Sequence, residues 1–172
     1  MQPTLDRVFL DCSVRRLYQL ASRIDDCLGR LDDGQVWFRG GENQNAIGNL
    51  VLHLAGNVRQ WIVSGVGGAP DVRDRDSEFT AAGGIGVSGL RERLRAVIRE
   101  ATAVMSAVPA AQLAERVAIQ GYDVTVLEAI YHVVEHFAQH TGQIVFATKA
   151  ATGEDLGYYA HLSKTAHGHK TP

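Results

Sequence analysis

The chain has 172 residues, 45% of them apolar and 21% charged, with a formal net charge of −2. That length is ordinary for one globular domain with its own core, and the charge gives no electrostatic reason to expect nucleic acid as a partner. No apolar run approaches the ~20 residues needed to span a bilayer, and Met1 to Arg7 lacks the basic and apolar regions of a signal peptide. The expectation is a cytoplasmic protein with a small-molecule substrate and no nucleic-acid or membrane partner.

In chain order, the first helical pattern runs through Leu10, Ser13, Leu17, Leu20, Ile24, Cys27 and Leu31, spaced alternately three and four residues apart. Arg15, Arg16, Arg23, Asp25 and Asp26 take the opposite face, and Asp32-Asp33-Gly34 reads as the terminating turn. Cys12 and Cys27 fall inside this helix, roughly 22 Å apart along its axis, too far for a disulfide. They read as reduced thiols.

A second stripe comprises Ile47, Leu50, Val51, Leu54, Val58, Trp61 and Ile62, and is expected to stop at the Gly65–Pro70 cluster. The charged stretch Asp71–Glu78 reads as a solvated loop, or as a cover for one end of the helical assembly. A third helix follows from Leu90 through Leu94, Val97, Ile98, Ala101, Val104, Met105 and Val108, ending before Pro109. Within the next connection, Arg116 to Tyr122 can form a short extended piece.

Thr125-Val-Leu-Glu128 is a capping box that starts a fourth helix. Its stripe is Leu127, Ile130, Val134, Phe137, Thr141, Ile144 and Thr148, with Gly153 as the stop. Leu156, Tyr158 and Tyr159 have the character to pack, while residues 161–172 read as a polar tail. The expected organisation is one domain over residues 1–160, all-α, built as a four-helix bundle with long second and third connections.

The chemical signal is in the histidines. His136 and His140 stand at i and i+4 on one helix and can grip a single ion. His53, from the second helix, would add a third nitrogen and leave coordination positions open, which suits catalysis better than a closed structural site. A helix turns about 100° per residue, which puts His140, His136 and His132 about 80°, 120° and 160° from the middle of the apolar stripe. The pair facing inward is therefore His136 and His140, with His132 directed largely to solvent. The same construction places His53 at about 120° and Asn57 at about 80° from their stripe.

Gln143 is expected to project inward and, like Asn57, to hydrogen-bond a ligand imidazole or a substrate; the alternative for both is a buried amide that satisfies backbone groups. Gly142, costly in mid-helix, is expected to permit close helix packing. Trp61 reads as core. The metal's identity stays open, because three imidazoles accept zinc, nickel, copper or iron.

Three segments together resemble a known family: Asn49 to Trp61, the downstream Arg75-Asp76 and Glu78-Phe79, and His132 to Ile144. They resemble the DinB-like superfamily, and most nearly a branch described mainly as a domain of unknown function. The likeness covers nearly the whole chain. It implies a four-helix bundle of up-down-down-up arrangement in which three histidines bind a divalent metal, often zinc or nickel. By position those ligands are His53, His136 and His140. Relatives include S-transferases that use bacillithiol, mycothiol or glutathione, and a thiol-dependent maleylpyruvate isomerase. The resemblance thus implies transfer of a low-molecular-weight thiol to a small electrophile; a metal-dependent hydrolase or a non-enzymatic, metal-stabilised bundle are the alternatives. The resemblance also carries the expectation of a homodimer formed through exposed helix faces.

Overall fold

The structure, a computed structural model, describes residues 2–160; the expectations for the polar tail 161–172, including His161, His167 and His169, lie outside the described residues. The chain is mostly helical. In order it forms α1 (Leu5–Leu28), α2 (Asp33–Trp37), α3 (Ile47–Val58), α4 (Arg75–Thr80), α5 (Val87–Ala107), the antiparallel hairpin β1 (Arg116–Ile119) and β2 (Tyr122–Thr125), and α6 (Val126–Thr152). None of the described helices is long and apolar enough to cross a membrane.

The four long helices α1, α3, α5 and α6 share one apolar core. α1 packs on α5 and α6, and α3 packs on the same two. Leu17, Ile24, Leu54, Ile62, Leu90, Met105, Ile130 and Phe137 are among its fully buried side chains. Removing such side chains from water, at about 25 cal/mol per Å² of apolar surface, is the dominant favourable term holding the helices together.

Local signals fix the helix ends. Thr125 accepts from the backbone N–H of Glu128, whose side chain accepts in return from Thr125 N at 2.7 Å, so α6 starts with both of these N–H groups satisfied. Its C-terminus is closed by Gly153 at φ 71°, a left-handed position that glycine adopts without penalty. α5 ends at Ala107, two residues before Pro109.

Several expectations change. Asp32-Asp33-Gly34 does not simply end α1: Asp32 caps α2 through a bond from Gln35 N, and Leu31 is buried between the two helices. The second helix stops within the Gly65–Pro70 cluster as expected, at Val66, but its last two turns widen into a π-helix over Arg59–Val66. Gly65 has no side chain, and that gap is filled by the Ile119 side chain of the hairpin. Leu127 is 41% exposed, because α6 buries Val126, Ala129, Ile130 and Val133 in its first two turns instead. Gly142 packs against nothing; a Cβ there would meet open space.

The charged stretch is the cover rather than a free loop. α4 is capped by Asp74, and the backbone carbonyls of Glu78, Phe79 and Ala81 all accept from the fully buried Asn49 Nδ2. Arg39 Nη2 donates to Asn49 Oδ1 and to the carbonyls of Phe79 and Ala81. This hub straps α4 onto the first turn of α3, beside His53. Tyr158 packs on α1, its hydroxyl donating to the carbonyl of Arg23 and to Asp26 Oδ2. Burial beside that carboxylate raises the Tyr158 pKa far above its ordinary value. Cys27 is buried beneath it and Cys12 is exposed; both are free thiols.

Candidate metal centre

α3 and α6 bring three imidazoles together. His53 Nε2 lies 3.1 Å from His136 Nε2, and His140 Nε2 lies 3.1 Å from the same atom. One nitrogen from each of the three residues falls within 4.8 Å of the others, and among the described residues this cluster can hold a metal ion. His53 is buried, while His136 and His140 are half-buried and reachable from solvent.

The outer nitrogens decide which atoms point inward. His53 Nδ1 is 3.0 Å from Glu78 Oε2, an obligate acceptor, and 3.1 Å from Arg73 Nη2, an obligate donor; in the tautomer that donates to the carboxylate the proton sits on Nδ1 and the Nε2 lone pair faces the cluster. His140 Nδ1 donates likewise to Gln143 Oε1 at 2.6 Å, leaving its Nε2 lone pair facing the same way. With His53 in that tautomer, two lone pairs converge on His136 Nε2. Without a cation, His136 must direct its own Nε2 proton at both. With one, all three nitrogens become donors to the ion. Nitrogens bound about 2.0–2.1 Å from one tetrahedral zinc stand about 3.3–3.4 Å apart, close to the two 3.1 Å separations around His136, and the third pair also lies within 4.8 Å. The residues present thus fit a divalent ion.

Glu78 is itself held. Arg73 Nε and Nη2 donate to its two carboxylate oxygens, both at 2.8 Å, and the two side chains are 4% and 7% exposed. Burial alone would raise the Glu78 pKa, but the bonds from Arg73 and His53 outweigh it and hold the carboxyl below its ordinary value. Burial, and then the like charges of His140 and His53, push His136 down to about 3. Burial also lowers His140, against the opposing Gln143 bond. Metal-free His136 and His140 are thus poor bases, and protons compete weakly for their lone pairs.

His53, His136 and His140 meet as a group. Gln143 pairs with His140 as expected, yet it does so from the exposed side of α6 rather than projecting inward. Asn57 is buried, but its Oδ1 has no hydrogen-bond partner and it bonds none of the three histidines. His136 Nδ1 is a second buried polar atom without a partner, so the central histidine lacks the outer support its neighbours have.

His132 does not face solvent. Its ring lies 4.1 Å from the Trp61 ring and stacks on His136 at 5.5 Å, and burial lowers its pKa. Trp61 is core, as expected, and also donates to Gln120 Oε1. The sequence reading missed Glu78 and Arg73 as partners of His53, and Phe79 as the ring 4.7 Å from the His53 ring. Their run Arg73–Phe79 carried a signal, an apolar residue directly after an acid in a charged stretch.

The fold and the site describe a mostly helical protein with a three-histidine candidate metal centre. The chain belongs to the family described as "Protein of unknown function (DUF1572)", which it matches over residues 4–163. No curated protein matches it. It is similar to a solved structure described as "Crystal structure of the conserved protein of locus from Enterococcus faecalis", at 14% identity and a TM-score of 0.69. That likeness covers 84% of this chain and 97% of the other, and at such identity it concerns the fold alone.

Proposed function

We propose that this chain is a metal-dependent enzyme that transfers a low-molecular-weight thiol to a small electrophile, built as a DinB-like four-helix bundle of up-down-down-up arrangement. His53, His136 and His140 are the ligands, and zinc or nickel is the ion. The observation that carries this reading is the convergence of three Nε2 atoms, two of them on rings whose outer nitrogens are bonded to Glu78 and Gln143. A divalent ion held there supplies Lewis acidity at its remaining positions, lowering the pKa of a thiol or of water.

The chain's own groups do the rest. Glu78 orients His53 and raises its basicity as a ligand, Arg73 keeps Glu78 ionised, and Gln143 does for His140 what Glu78 does for His53. Phe79 covers one side of His53 and keeps water from it. In the transfer, the sulfur lone pair forms the new bond to carbon. The pair of the broken bond leaves with the displaced group, and the thiol proton passes to solvent.

The test measures metal content and turnover on purified protein. Wild type is expected to retain about one zinc or nickel per chain, and His136→Ala none. Glutathione and cysteine with 1-chloro-2,4-dinitrobenzene or monobromobimane form the first panel, with water alone as the control. Thiol-dependent turnover abolished by chelation supports the reading. Hydrolysis in water alone reassigns the centre to a hydrolase. A bound ion that only stabilises the fold, with no turnover across the panel, reassigns it to a structural role joining α3 to α6.

A further inference from the structure

A cleft of about 610 Å³ opens between the segment joining α2 to α3 and the outer face of α6. Its lining contains no acidic, basic or histidine side chain. Five carboxamides surround it instead: Gln35, Asn43, Gln44, Asn45 and Gln143. Among the described residues, the side chains of Asn43, Gln44 and Asn45 make no hydrogen bond. Gln35 and Gln143 use only their Oε1 atoms, on Asp32 N and His140 Nδ1, and keep Nε2 donors free.

Gln44 lies across Gly40, where an added Cβ would come within 2.6 Å of its Oε1, so a side chain at that position would displace the amide. Arg39, next to Phe38 in sequence, is turned away and bonded to Asn49 and the carbonyls of Phe79 and Ala81. Apolar surface completes the cleft. Phe38 and Phe146 are 72% and 77% exposed, and both line it, with Ile47 and Leu50 from α3 and three alanines of α6. Two exposed phenylalanines on one cleft form a patch of the kind that marks ligand surfaces.

We propose that this cleft binds the uncharged organic substrate of the metal centre, a small molecule with an apolar body and amide- or carbonyl-type groups. An anion or ammonium entering it would lose hydration with no opposite charge to replace it, whereas a neutral amide finds unbonded amide donors and acceptors in the lining. The volume lies in the range of about 300–1,000 Å³ typical of small-molecule sites. Gln143 connects the two places, lining the cleft while accepting from the ligand histidine His140 at 2.6 Å. Under the proposed transfer chemistry, the cleft takes the electrophile and not an anionic thiol. The identification of the occupant as substrate rests on the metal reading; the occupancy of the cleft does not.

The experiment titrates full-length protein, metal-loaded wild type and His136→Ala, with three probes by ligand-observed NMR and calorimetry. They are N-acetylphenylalaninamide, which is neutral, N-acetylphenylalanine, which carries a carboxylate, and phenylalaninamide, which carries an ammonium. The neutral probe is expected to bind at least about tenfold more tightly than either charged one, with Phe146→Ala or Gln44→Ala weakening it about tenfold. His136→Ala should bind it with unchanged affinity. Equal binding of the three probes, absence of binding at about 10 mM, or indifference to both substitutions overturns the cleft assignment. Selective binding by a wild-type protein that itself retains no metal leaves the cleft assigned and removes the occupant's role as substrate.

Discussion

Glu78 Oε2 stands 3.0 Å from His53 Nδ1, on a carboxylate whose two oxygens also accept from Arg73. The acid does two things at once: it bonds the outer nitrogen of a candidate ligand histidine and neutralises a guanidinium that is 4% exposed. Glu78→Gln keeps the shape and removes the charge. Metal affinity should fall about 10–100-fold, the usual cost of losing a partner of a ligand histidine. Stability of the metal-free protein should fall by about 3–5 kcal/mol, because Arg73 is left as an unpaired buried charge. Competition against a chromophoric chelator reads the first and urea unfolding the second; an unchanged affinity would show that Glu78 plays no part in metal binding.

Gly56 offers a sharper probe of the same contact, because the sign of its effect is diagnostic. A Cβ at position 56 would collide with the Glu78 carboxylate. On helix propensity alone, Gly56→Ala should stabilise α3 by about 1 kcal/mol. Here the carboxylate must shift, and overpacking of about 1–3 kcal/mol should reverse the sign. Chelator competition should show weaker metal binding in parallel. A variant more stable than wild type, with full affinity, would mean that Glu78 has free room to move.

The helices and the three histidines were readable because both depend on local spacing. The Thr125–Glu128 box, the i, i+4 pair and the Gly153 stop each lie within a few residues of the feature they determine. What escaped depends on distant segments meeting. Nothing in the Asp71–Glu78 run says that Asn49 will gather its carbonyls, or that Gly56 leaves room for a carboxylate. The wheel misplaced His132 for a related reason. It measured the angle from the helix's own stripe, while the neighbour that covers His132 is Trp61, carried by a π-helix whose wider turn no 100° count anticipates. Gln143 fails the same construction, since its partner sits on its own helix and the bond forms along the exposed surface.

Asp25 gives the fold a pH-dependent element away from the histidines. The hydrogen bond from Arg91, helped by Arg95, overcomes the effect of burial and lowers its pKa from the ordinary 3.8 to about 2. The folded value lies below the unfolded one, so the pair stabilises fully above pH 3.8 and loses its contribution as the pH falls from there toward 2. Water screens a pair this accessible, and its contribution is about 1 kcal/mol. Asp25→Asn should therefore melt below wild type at pH 7 and level with it near pH 2. A gap that persists at pH 2 would show that the loss is one of packing between α1 and α5 and not of charge.

Removing the ion should separate its contribution from that of the helices. An ion that binds only the folded state adds RT ln(1 + [L]/Kd), about 2.7 kcal/mol when free metal is a hundred times Kd. For a chain of this size each kcal/mol moves Tm by about 2–4 °C, so chelation should lower the wild-type Tm by about 5–10 °C. His136→Ala removes the nitrogen that both neighbours approach at 3.1 Å. Its Tm should not respond to chelator or to added zinc. The metal-free comparison carries separate information, because His136 Nδ1 is already buried without a partner. Truncation therefore deletes an unsatisfied polar atom along with the ring, and the metal-free variant should melt within a few degrees of metal-free wild type. A large loss in that comparison would make His136 chiefly a packing residue, and an equal chelator response in both proteins would place the ion elsewhere.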